Sequence, residues 1–262
     1  MSPSAISWSL PSRTEAAPAP FHVKPPAPRG PSDTALDGLA QRYALSARQR
    51  EQLARALAML EASPHAPTAV RAADQAVNIH LADSLVALEL ELLRTAERIA
   101  DLGAGAGFPG LALAVALPAA RFNLIESHRR SCQFLEQACS NVEIGNAHVV
   151  CERIEAWEEG IGRNDAVLAR ALAPAPVVLE YAAPLLRMGG VLVDWRGRRD
   201  RTAEVLSGEV AQKLGLEVAE IRHVTPYAGS RDHHLHLYLK VGDTPPEFPR
   251  RMGMARKKPL SS

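Results

Sequence analysis

The chain has 262 residues, of which 47% are hydrophobic, and a formal net charge of +1 at pH 7, which allows one large core or one main domain with a small addition. Its longest apolar run, Leu111 to Leu117, is far shorter than the roughly 20 residues that cross a bilayer, which excludes a membrane-spanning protein. The sequence shows no signal-peptide pattern at its start, so we expect a cytoplasmic protein. The three cysteines form no CxxC pair, which argues against a disulfide framework, and we interpret them as packing residues in a reducing compartment.

Residues 1–33 are predicted to form a disordered extension, because prolines recur there among many alanines and serines and stop both helices and strands. A helical N-terminal region is predicted over residues 34–95. Within it, Ser46 and Gln49 form a capping-box pair just before a periodic apolar run, which is a typical helix start. Further helical patterns cover about Ala72–Leu81 and Ser84–Thr95.

Short apolar runs separated by helical stretches predict a doubly wound α/β domain over residues 96–245, followed by a basic tail at 246–262. Two late strand candidates, Val218–Val224 and His234–Val241, stand too close together for a crossover helix and are predicted to pair antiparallel. The earlier strand candidates are Ile99–Leu102, Phe122–Ile125, His148–Cys151, Ala166–Ala169 and Val191–Trp195.

The stretch from Asp101 to Gly110, DLGAGAGFPG, follows the first strand candidate and precedes an apolar helix. Its alternating glycines, Gly103, Gly105 and Gly107, allow positive φ and the close approach of a ligand, while the next helix offers free N–H groups. Asp101 at the strand end can accept hydrogen bonds from a cationic or hydroxylated ligand and would repel a pyrophosphate. The pattern therefore favours S-adenosylmethionine, whose methionine end carries an ammonium and a sulfonium.

The same loop also satisfies the dinucleotide fingerprint GxGxxG at Gly105, Gly107 and Gly110, and Glu126 stands where a ribose-binding acid is expected. On the basis of the loop alone, an NAD-type oxidoreductase remains an alternative to a methyltransferase. The closing antiparallel pair separates the two, because the usual dinucleotide fold ends in parallel strands whereas Rossmann-like methyltransferases end with an antiparallel one. We therefore predict an α/β fold of the Rossmann-like class I methyltransferase type, with a mostly parallel sheet and an antiparallel closing strand.

Basic residues cluster after the second strand candidate at Arg129 and Arg130, after the fifth at Arg196–Arg201, and in the tail at Arg250–Lys258. A solvated charged surface explains many single clusters, but their number here favours a phosphate-rich substrate. His233, His234 and His236 lie near a strand and suggest a metal site, because His234 and His236 would project to one face. No carboxylate or cysteine stands at a suitable spacing, so no metal is expected.

Over about Leu53 to Leu260, the order and spacing of the motifs resemble the bacterial small-subunit ribosomal RNA guanine-N7 methyltransferases of the RsmG (GidB) type. A lone glycine loop is weak support for such a resemblance, whereas the ordered set is specific. The motifs are His80-Leu81-Ala82-Asp83-Ser84-Leu85, the loop from Asp101 to Gly110, Ile125-Glu126-Ser127, Arg153-Ile154-Glu155, Ala169-Arg170-Ala171, Gly189-Gly190, Pro249-Arg250-Arg251 and Pro259-Leu260.

The resemblance implies that Glu126 binds the ribose hydroxyls of S-adenosylmethionine and that Arg170 lies where cofactor and substrate meet. The rest of the implied cofactor set is Gly103, Phe108, Ile154 and Glu155, to which the loop adds Asp101, Gly105 and Gly107. The expected substrate contacts are His80, Asp83, Arg196 and Arg250. For some of these residues a plain structural role stays open, because Asp83 or Ser84 can cap a helix near Leu85 and Arg153 can form an ordinary exposed ion pair with Glu155.

The implied reaction is methyl transfer to N7 of a guanine in the 530 loop of 16S ribosomal RNA, either on the RNA or on a small-subunit particle, by a monomeric enzyme. Guanine N7 is an acceptor without a hydrogen, so we expect in-line transfer without a general base. A methyltransferase with a different substrate is the alternative. The family's Lys-Gly after the fifth strand is Arg196-Gly197 here, which exchanges a compact ammonium for a planar fork. The family's Trp-Asn and Asn-Leu-Thr elements are kept only in part over Leu60–Val70.

Overall fold

A seven-stranded sheet is the centre of the computed structural model, which describes residues 31–63, 68, 70 and 73–261. The strands are β1 (Arg98–Leu102), β2 (Arg121–Ile125), β3 (Ala147–Val150), β4 (Asn164–Arg170), β5 (Leu186–Arg196), β6 (Leu216–His223) and β7 (His234–Lys240). Their order in the sheet is β3-β2-β1-β4-β5-β7-β6; the first five strands run parallel, and β7 pairs antiparallel with both β5 and β6. This arrangement confirms the predicted fold, including the antiparallel closing pair.

Helices cover both faces of the sheet, which is why its central strands are apolar on both sides. The side chains of β1 are buried from Ile99 to Leu102. The helices are α1 (Pro31–Arg42), α2 (Ala47–Ala62), α3 (Ala73–Ala76), α4 (Asp83–Leu85), α5 (Glu91–Arg94), α6 (Gly110–Ala116), α7 (Arg129–Asn141), α8 (Ala175–Ala182), α9 (Arg201–Lys213) and α10 (Met254–Lys257). One core cluster joins α1, α2, α6 and α7 to the sheet, and a second cluster joins α8 and α9 to the other face.

The N-terminal helices pack on the sheet through a shared core. The predicted capping box is present, since the Ser46 side chain accepts the backbone N–H of Gln49 and Gln49 reaches back to the N–H of Ser46. Gln49 Nε2 also donates to Val115 O on α6 at 2.8 Å, which ties α2 to the helix after the glycine loop. Of the extension predicted over residues 1–33, residues 1–30 lie outside the described residues, whereas residues 31–33 belong to α1 and are helical.

Residues 73–94 differ from the two regular helices expected there. The π-helical turn Val77–Ala82 stands between α3 and α4, and the 3₁₀ turn Val86–Glu89 follows α4. Neither Asp83 nor Ser84 caps a helix, because Ser84 Oγ donates to the carbonyl of His80 and the Asp83 side chain turns to other partners. Single π turns inside helices are frequent at functional sites.

Two of the three cysteines differ from the packing role expected of them, whereas Cys139 is free and packs against the core. Cys132 at the start of α7 and Cys151 just after β3 form a disulfide, with their Cα atoms 5.8 Å apart. Sequence spacing alone gives no sign of this pair. Because β2 and β3 lie side by side in parallel, the segments that follow them leave the sheet at the same edge and bring the two sulfur atoms together.

No helix within the described part of the chain is both long and apolar enough to cross a membrane.

Candidate cofactor and substrate site

The glycine loop between β1 and α6 is tightly packed. Gly107 has φ 94°, and a Cβ there would lie 2.1 Å from Leu111 Cδ1. A Cβ at Gly110 would lie 2.5 Å from Asp101 Oδ2. The third glycine of the apparent dinucleotide fingerprint is therefore required by the Asp101 carboxyl group of the chain itself, and a pyrophosphate is not needed to explain it.

Asp101 lies beneath the loop, where it organises the start of α6. Its side chain is buried, and Oδ2 accepts the backbone N–H of Gly110 at 2.8 Å. Burial raises the pKa of this carboxyl group to about 7, against the smaller opposing effects of the Gly110 hydrogen bond and of Arg170. Asp101 thus supports the loop, and its contact with a ligand, expected from the sequence, stays a prediction.

The raised pKa of Asp101 makes a testable contribution to stability. The carboxyl group ionises near pH 3.8 in the unfolded chain and near pH 7 in the folded one, so the free energy of unfolding falls as pH rises between these values. Asp101→Asn keeps an acceptor for the Gly110 N–H and removes this pH dependence. The change in the free energy of unfolding that the Asp101 carboxyl group causes between the two pH values is at most about 4 kcal/mol. Urea denaturation at about pH 5 and about pH 8 measures it. An unchanged pH slope in the variant would refute the assignment, since Asp194, whose pKa burial also raises to about 7, is present in both proteins.

Glu126 follows β2 and joins that strand to the glycine loop. Its carboxylate accepts the N–H of Gly105 at 3.0 Å through Oε2 and the N–H of His128 at 2.8 Å through Oε1. The side chain is 8% exposed and carries charge-assisted hydrogen bonds that fix its orientation. Glu126 is therefore held rigidly at the carboxyl edge of the sheet, where ligands of open α/β sheets bind.

A cavity of about 590 Å³ opens beside Glu126 and fits an adenosine-sized ligand. Residues from the ends of β1, β2 and β4 and from the segment after β3 line it. The lining combines apolar side chains, Ile154 and Leu172 among them, with the carboxylates of Glu126 and Glu155. The lining residues are Gly103, Ile125, Glu126, Ser127, His128, Glu152, Arg153, Ile154, Glu155, Ala171, Leu172, Tyr181 and Arg256.

The lining includes residues that the sequence did not assign to this site, among them Tyr181 and Arg256. Tyr181 on α8 donates its hydroxyl to Glu155 Oε1 at 3.2 Å, and the same oxygen accepts the N–H of Gly253 at 2.9 Å. The exposed Arg153–Glu155 ion pair considered from the sequence is thus not what holds Glu155. Arg256 Nη2 donates to Leu172 O at 3.2 Å, so the C-terminal segment closes this side of the cavity. The local sequence gives no sign that residues so far apart in the chain are neighbours in the fold.

Arg170, at the end of β4, belongs to a buried polar cluster. Its Nη1 donates to Asp83 Oδ2 at 2.9 Å and to Ile79 O at 2.8 Å. The other carboxylate oxygen of Asp83 lies 3.1 Å from His233 Nδ1. Trp195 Nε1 donates to the backbone carbonyl of Asp83. The predicted residues Arg170 and Asp83 are therefore brought together, and His233 joins them, which the sequence analysis considered only as a metal ligand.

His80 connects the helical segment to the glycine loop. Its ring stacks on Phe108, with ring centroids 5.1 Å apart, and its Nε2 lies 3.1 Å from Val70 O. Burial lowers the pKa of His80, with a further lowering by Arg170, against the Val70 hydrogen bond and Asp83. A neutral imidazole therefore packs on the loop, so His80 and Phe108 hold the predicted substrate and cofactor regions in contact.

The predicted RNA-binding arginines differ in their surroundings. Arg250 pairs with Glu180, which is fully buried, through bonds of 2.9 Å from Nε and 2.6 Å from Nη2. Arg196 Nε donates to Asp194 Oδ2 at 2.6 Å. Contact of either side chain with RNA stays a prediction. The position of Arg250 in a basic run does not indicate that its side chain pairs with a buried carboxylate of the protein itself. Arg198, by contrast, is 86% exposed.

A larger cavity, of about 660 Å³, lies between β2, β3 and the segment before β4. Its lining mixes Arg98, Arg121 and Arg163 with glutamates, and no residue of the glycine loop touches it. Because ligand sites of parallel sheets lie at the carboxyl ends of the strands, the cavity beside Glu126 is the stronger candidate for the cofactor.

Comparison with known proteins places the chain among RNA-modifying enzymes. A family model described as rRNA small subunit methyltransferase G (GidB) matches residues 49–233. The ribosomal RNA small subunit methyltransferase G of Rubrobacter xylanophilus is 37% identical over 187 residues, which cover 69% of this chain and 72% of that protein. The protein of the same name from Thermotoga neapolitana is 34% identical over 213 residues, or 81% and 92% of the two chains.

Solved structures support the fold. Cofactor-bound Rv0187 from MTB aligns with a TM-score of 0.52 at 19% identity, over 82% of this chain and 99% of that one. A SAM dependent methyltransferase from Aquifex aeolicus aligns with a TM-score of 0.50 at 14% identity, over 64% and 93%. At such identities the likeness concerns the fold alone.

Proposed function

The chain belongs to the rRNA small subunit methyltransferase G family, and we propose that it transfers a methyl group from S-adenosylmethionine to N7 of a guanine in 16S ribosomal RNA. The family model covers more than half of the chain. The observation that carries the proposal is the cavity at the carboxyl edge of the sheet, where Glu126 meets the glycine loop. An NAD-type oxidoreductase is set aside, because the family is one of methyltransferases and β7 is antiparallel.

The residues around this cavity suit S-adenosylmethionine. We assign the ribose hydroxyls to Glu126, whose carboxylate is already oriented by two backbone amides. The adenine is assigned to the apolar surface of Ile154, next to Glu155 and Gly103. The methionine end is assigned to the loop of Gly105, Gly107 and Phe108, with Asp101 beneath it, and to Arg170. The ribose and adenine assignments combine the family resemblance with the lining of the cavity. The assignment of the methionine end rests on the resemblance and on the continuity of the loop with Gly103, since the other residues named for it do not line the cavity.

When bound, S-adenosylmethionine supplies a methyl group carried on a sulfonium. Guanine N7 offers a lone pair and no proton, so no residue of the chain needs to act as a general base. The residues then have to align base and cofactor and to exclude water. Arg170 suits that task, because Asp83 and the carbonyl of Ile79 hold its guanidinium at the end of β4, and the next residue, Ala171, lines the cofactor cavity. We place the target base against this cluster, within reach of Asp83 and His80.

The RNA must present its guanine outside a regular helix, because N7 of an A-form duplex lies in a deep, narrow groove. We therefore infer a loop target, and the 530 loop of 16S ribosomal RNA is the one that the family resemblance implies. Exposed arginines, including Arg198, Arg201 and Arg251, are suited to hold the flanking phosphates, so binding should weaken steeply with salt. A cytoplasmic location and a monomeric state stay predictions.

The proposal is tested with purified full-length protein, S-adenosylmethionine labelled in its methyl group, and 16S ribosomal RNA from a strain that lacks the gene. Small-subunit particles from the same strain form a second arm, since either can be the substrate. We expect label at one position, recovered as 7-methylguanosine after nuclease digestion. Label in any other nucleoside, or no transfer to either substrate by protein that binds S-adenosylhomocysteine, would contradict the proposal.

A further inference from the structure

The polar cluster around Asp83 holds two side chains next to each other. Asp83 Oδ2 accepts a hydrogen bond from Nη1 of Arg170 at 2.9 Å, and Asp83 Oδ1 lies 3.1 Å from Nδ1 of His233. Trp195 Nε1 donates to the backbone carbonyl of Asp83 and fixes the main chain there. Arg170 and His233 are thus bound to the two oxygens of one carboxylate, which places them side by side.

The ring of His233 is held in one orientation. Its backbone carbonyl accepts the N–H of Val224 at 2.9 Å, which fixes the residue just before β7. The ring of Tyr227 packs edge-on against the imidazole, with the centroids 5.8 Å apart. Because the Asp83 carboxylate can only accept, Nδ1 carries the proton of the neutral ring and Nε2 keeps its lone pair. His233 therefore presents a hydrogen-bond acceptor on the side that faces away from Asp83.

Both side chains keep polar atoms that the protein does not use. Among the described residues, Nε and Nη2 of Arg170 and Nε2 of His233 have no hydrogen-bond partner, and all three have solvent-accessible surface. The side chain of His233 is 29% exposed and that of Arg170 is 16% exposed. A donor and an acceptor are therefore accessible next to each other.

The cluster also lies close to the cofactor region. Ala171, the residue after Arg170, lines the cofactor cavity. Burial raises the pKa of Asp101 beneath the glycine loop, and the charge of Arg170 is near enough to oppose this rise. Ile79, whose carbonyl holds Arg170, is 38% exposed and adds an apolar surface. Polar and apolar groups are thus combined at the place where the target base has to meet the cofactor.

We propose that His233 recognises the target guanine by accepting its N1–H, while Arg170 donates to the neighbouring O6. On this edge guanine presents O6, an acceptor, beside N1–H, a donor, whereas adenine presents its amino group, a donor, beside N1, an acceptor. The donor of Arg170 next to the acceptor of His233 therefore matches guanine and is mismatched with adenine at both atoms. N7 lies on the other side of O6, so it stays free to receive the methyl group. This inference deepens the proposed function and rests on it.

The contact with His233 should strengthen during the reaction. N7 uses its lone pair to form the bond to the methyl group, and the sulfur keeps the electrons of the bond that breaks, so the positive charge passes to the purine. A cationic purine holds its N1 proton less tightly and donates a stronger hydrogen bond. Interactions that are stronger in the transition state raise kcat. Loss of the His233 side chain should therefore lower kcat more than it raises KM.

The test gives the full-length protein 16S ribosomal RNA that is ligated around a synthetic segment, with guanosine or 1-methylguanosine at the methylated position. 1-Methylguanosine lacks the N1–H but keeps O6 and N7. Wild type is expected to act on it roughly 30-fold more slowly than on guanosine, because the acceptor of His233 is left unpaired. His233→Ala should lose a similar factor on guanosine, mainly in kcat, and should use both RNAs about equally, since the space left by the ring accommodates the added methyl group.

A second variant and a control separate recognition from a structural effect. His233→Gln, whose amide oxygen can replace Nε2 as acceptor, should recover part of the rate on guanosine but not on 1-methylguanosine. Arg231→Ala is the matched control, because Arg231 is exposed in the same connection between β6 and β7 and any effect on RNA binding applies to both substrates. Its preference for guanosine should equal that of wild type. Affinity for S-adenosylhomocysteine should be unchanged in all three variants, which shows that the cofactor site is intact.

The outcomes distinguish this inference from the proposed function. If His233→Ala keeps the wild-type preference for guanosine, or if wild type uses both RNAs equally, then His233 does not accept the N1–H and the inference alone is overturned. If wild type binds S-adenosylhomocysteine but transfers no methyl group to guanosine in either the RNA or the small-subunit particle, the proposed function fails and the inference fails with it.

Discussion

Glu126→Ala is expected to lower the affinity for S-adenosylhomocysteine about 100-fold. The substitution removes the charged acceptor assigned to the ribose hydroxyls, and it also releases the N–H groups of Gly105 and His128 that the carboxylate holds. Hydrogen bonds to charged groups contribute about 1.5–3 kcal/mol each, and every 1.4 kcal/mol changes a dissociation constant about tenfold. Isothermal titration calorimetry measures the loss directly.

Glu152→Ala is the matched control for Glu126→Ala. Its carboxylate lines the same cavity but is exposed, so its removal changes the local charge equally and should alter the affinity less than about threefold. Circular dichroism establishes that both variants are folded. Equal losses in the two variants would mean that general electrostatics, and not a ribose contact, is responsible, and unchanged affinity in Glu126→Ala would remove Glu126 from the site.

Arg250→Ala should produce the largest loss of stability. Glu180 on α8 is fully buried and receives two hydrogen bonds from the Arg250 side chain, so the substitution leaves a buried carboxylate without its cation. Breaking a buried ion pair in this way costs about 3–5 kcal/mol. Urea denaturation of wild type and variant measures the change in the free energy of unfolding, and the melting temperature should fall with it.

Arg251→Ala provides the control, because Arg251 is the exposed neighbour of Arg250 in the same basic run and its removal should change stability by less than about 0.5 kcal/mol. Replacing both partners, in Glu180→Leu with Arg250→Met, should restore much of the stability, since no buried charge is then left alone. If Arg250→Ala is as stable as Arg251→Ala, the ion pair contributes nothing and Arg250 is free to serve RNA binding alone.

Local patterns predicted most of the fold. Some features depend only on residues that are close in the sequence, so they could be predicted without knowing the tertiary contacts. These are the capping box at Ser46, the apolar runs of the parallel strands and the short connection before β7. Glu126 was identified for the same reason, because its distance from the glycine loop is a fixed property of a βαβ unit.

Features that depend on distant partners could not be predicted. A run of arginines does not reveal that Arg250 faces Glu180, 70 residues away, nor does the DxG pattern reveal that Asp101 turns inward to the N–H of Gly110. The disulfide of Cys132 and Cys151 arises from the pairing of β2 with β3. In each case the residue stands out in the sequence, but its partner is decided by tertiary packing.

The central claim is that the cavity beside Glu126 holds S-adenosylmethionine. The measurement that tests it most directly is a crystal structure of the full-length protein with S-adenosylhomocysteine. We predict the ribose hydroxyls at the Glu126 carboxylate, the adenine against Ile154 and the amino-acid end along the glycine loop. A ligand bound elsewhere, or this cavity empty in crystals saturated with the compound, would contradict the account.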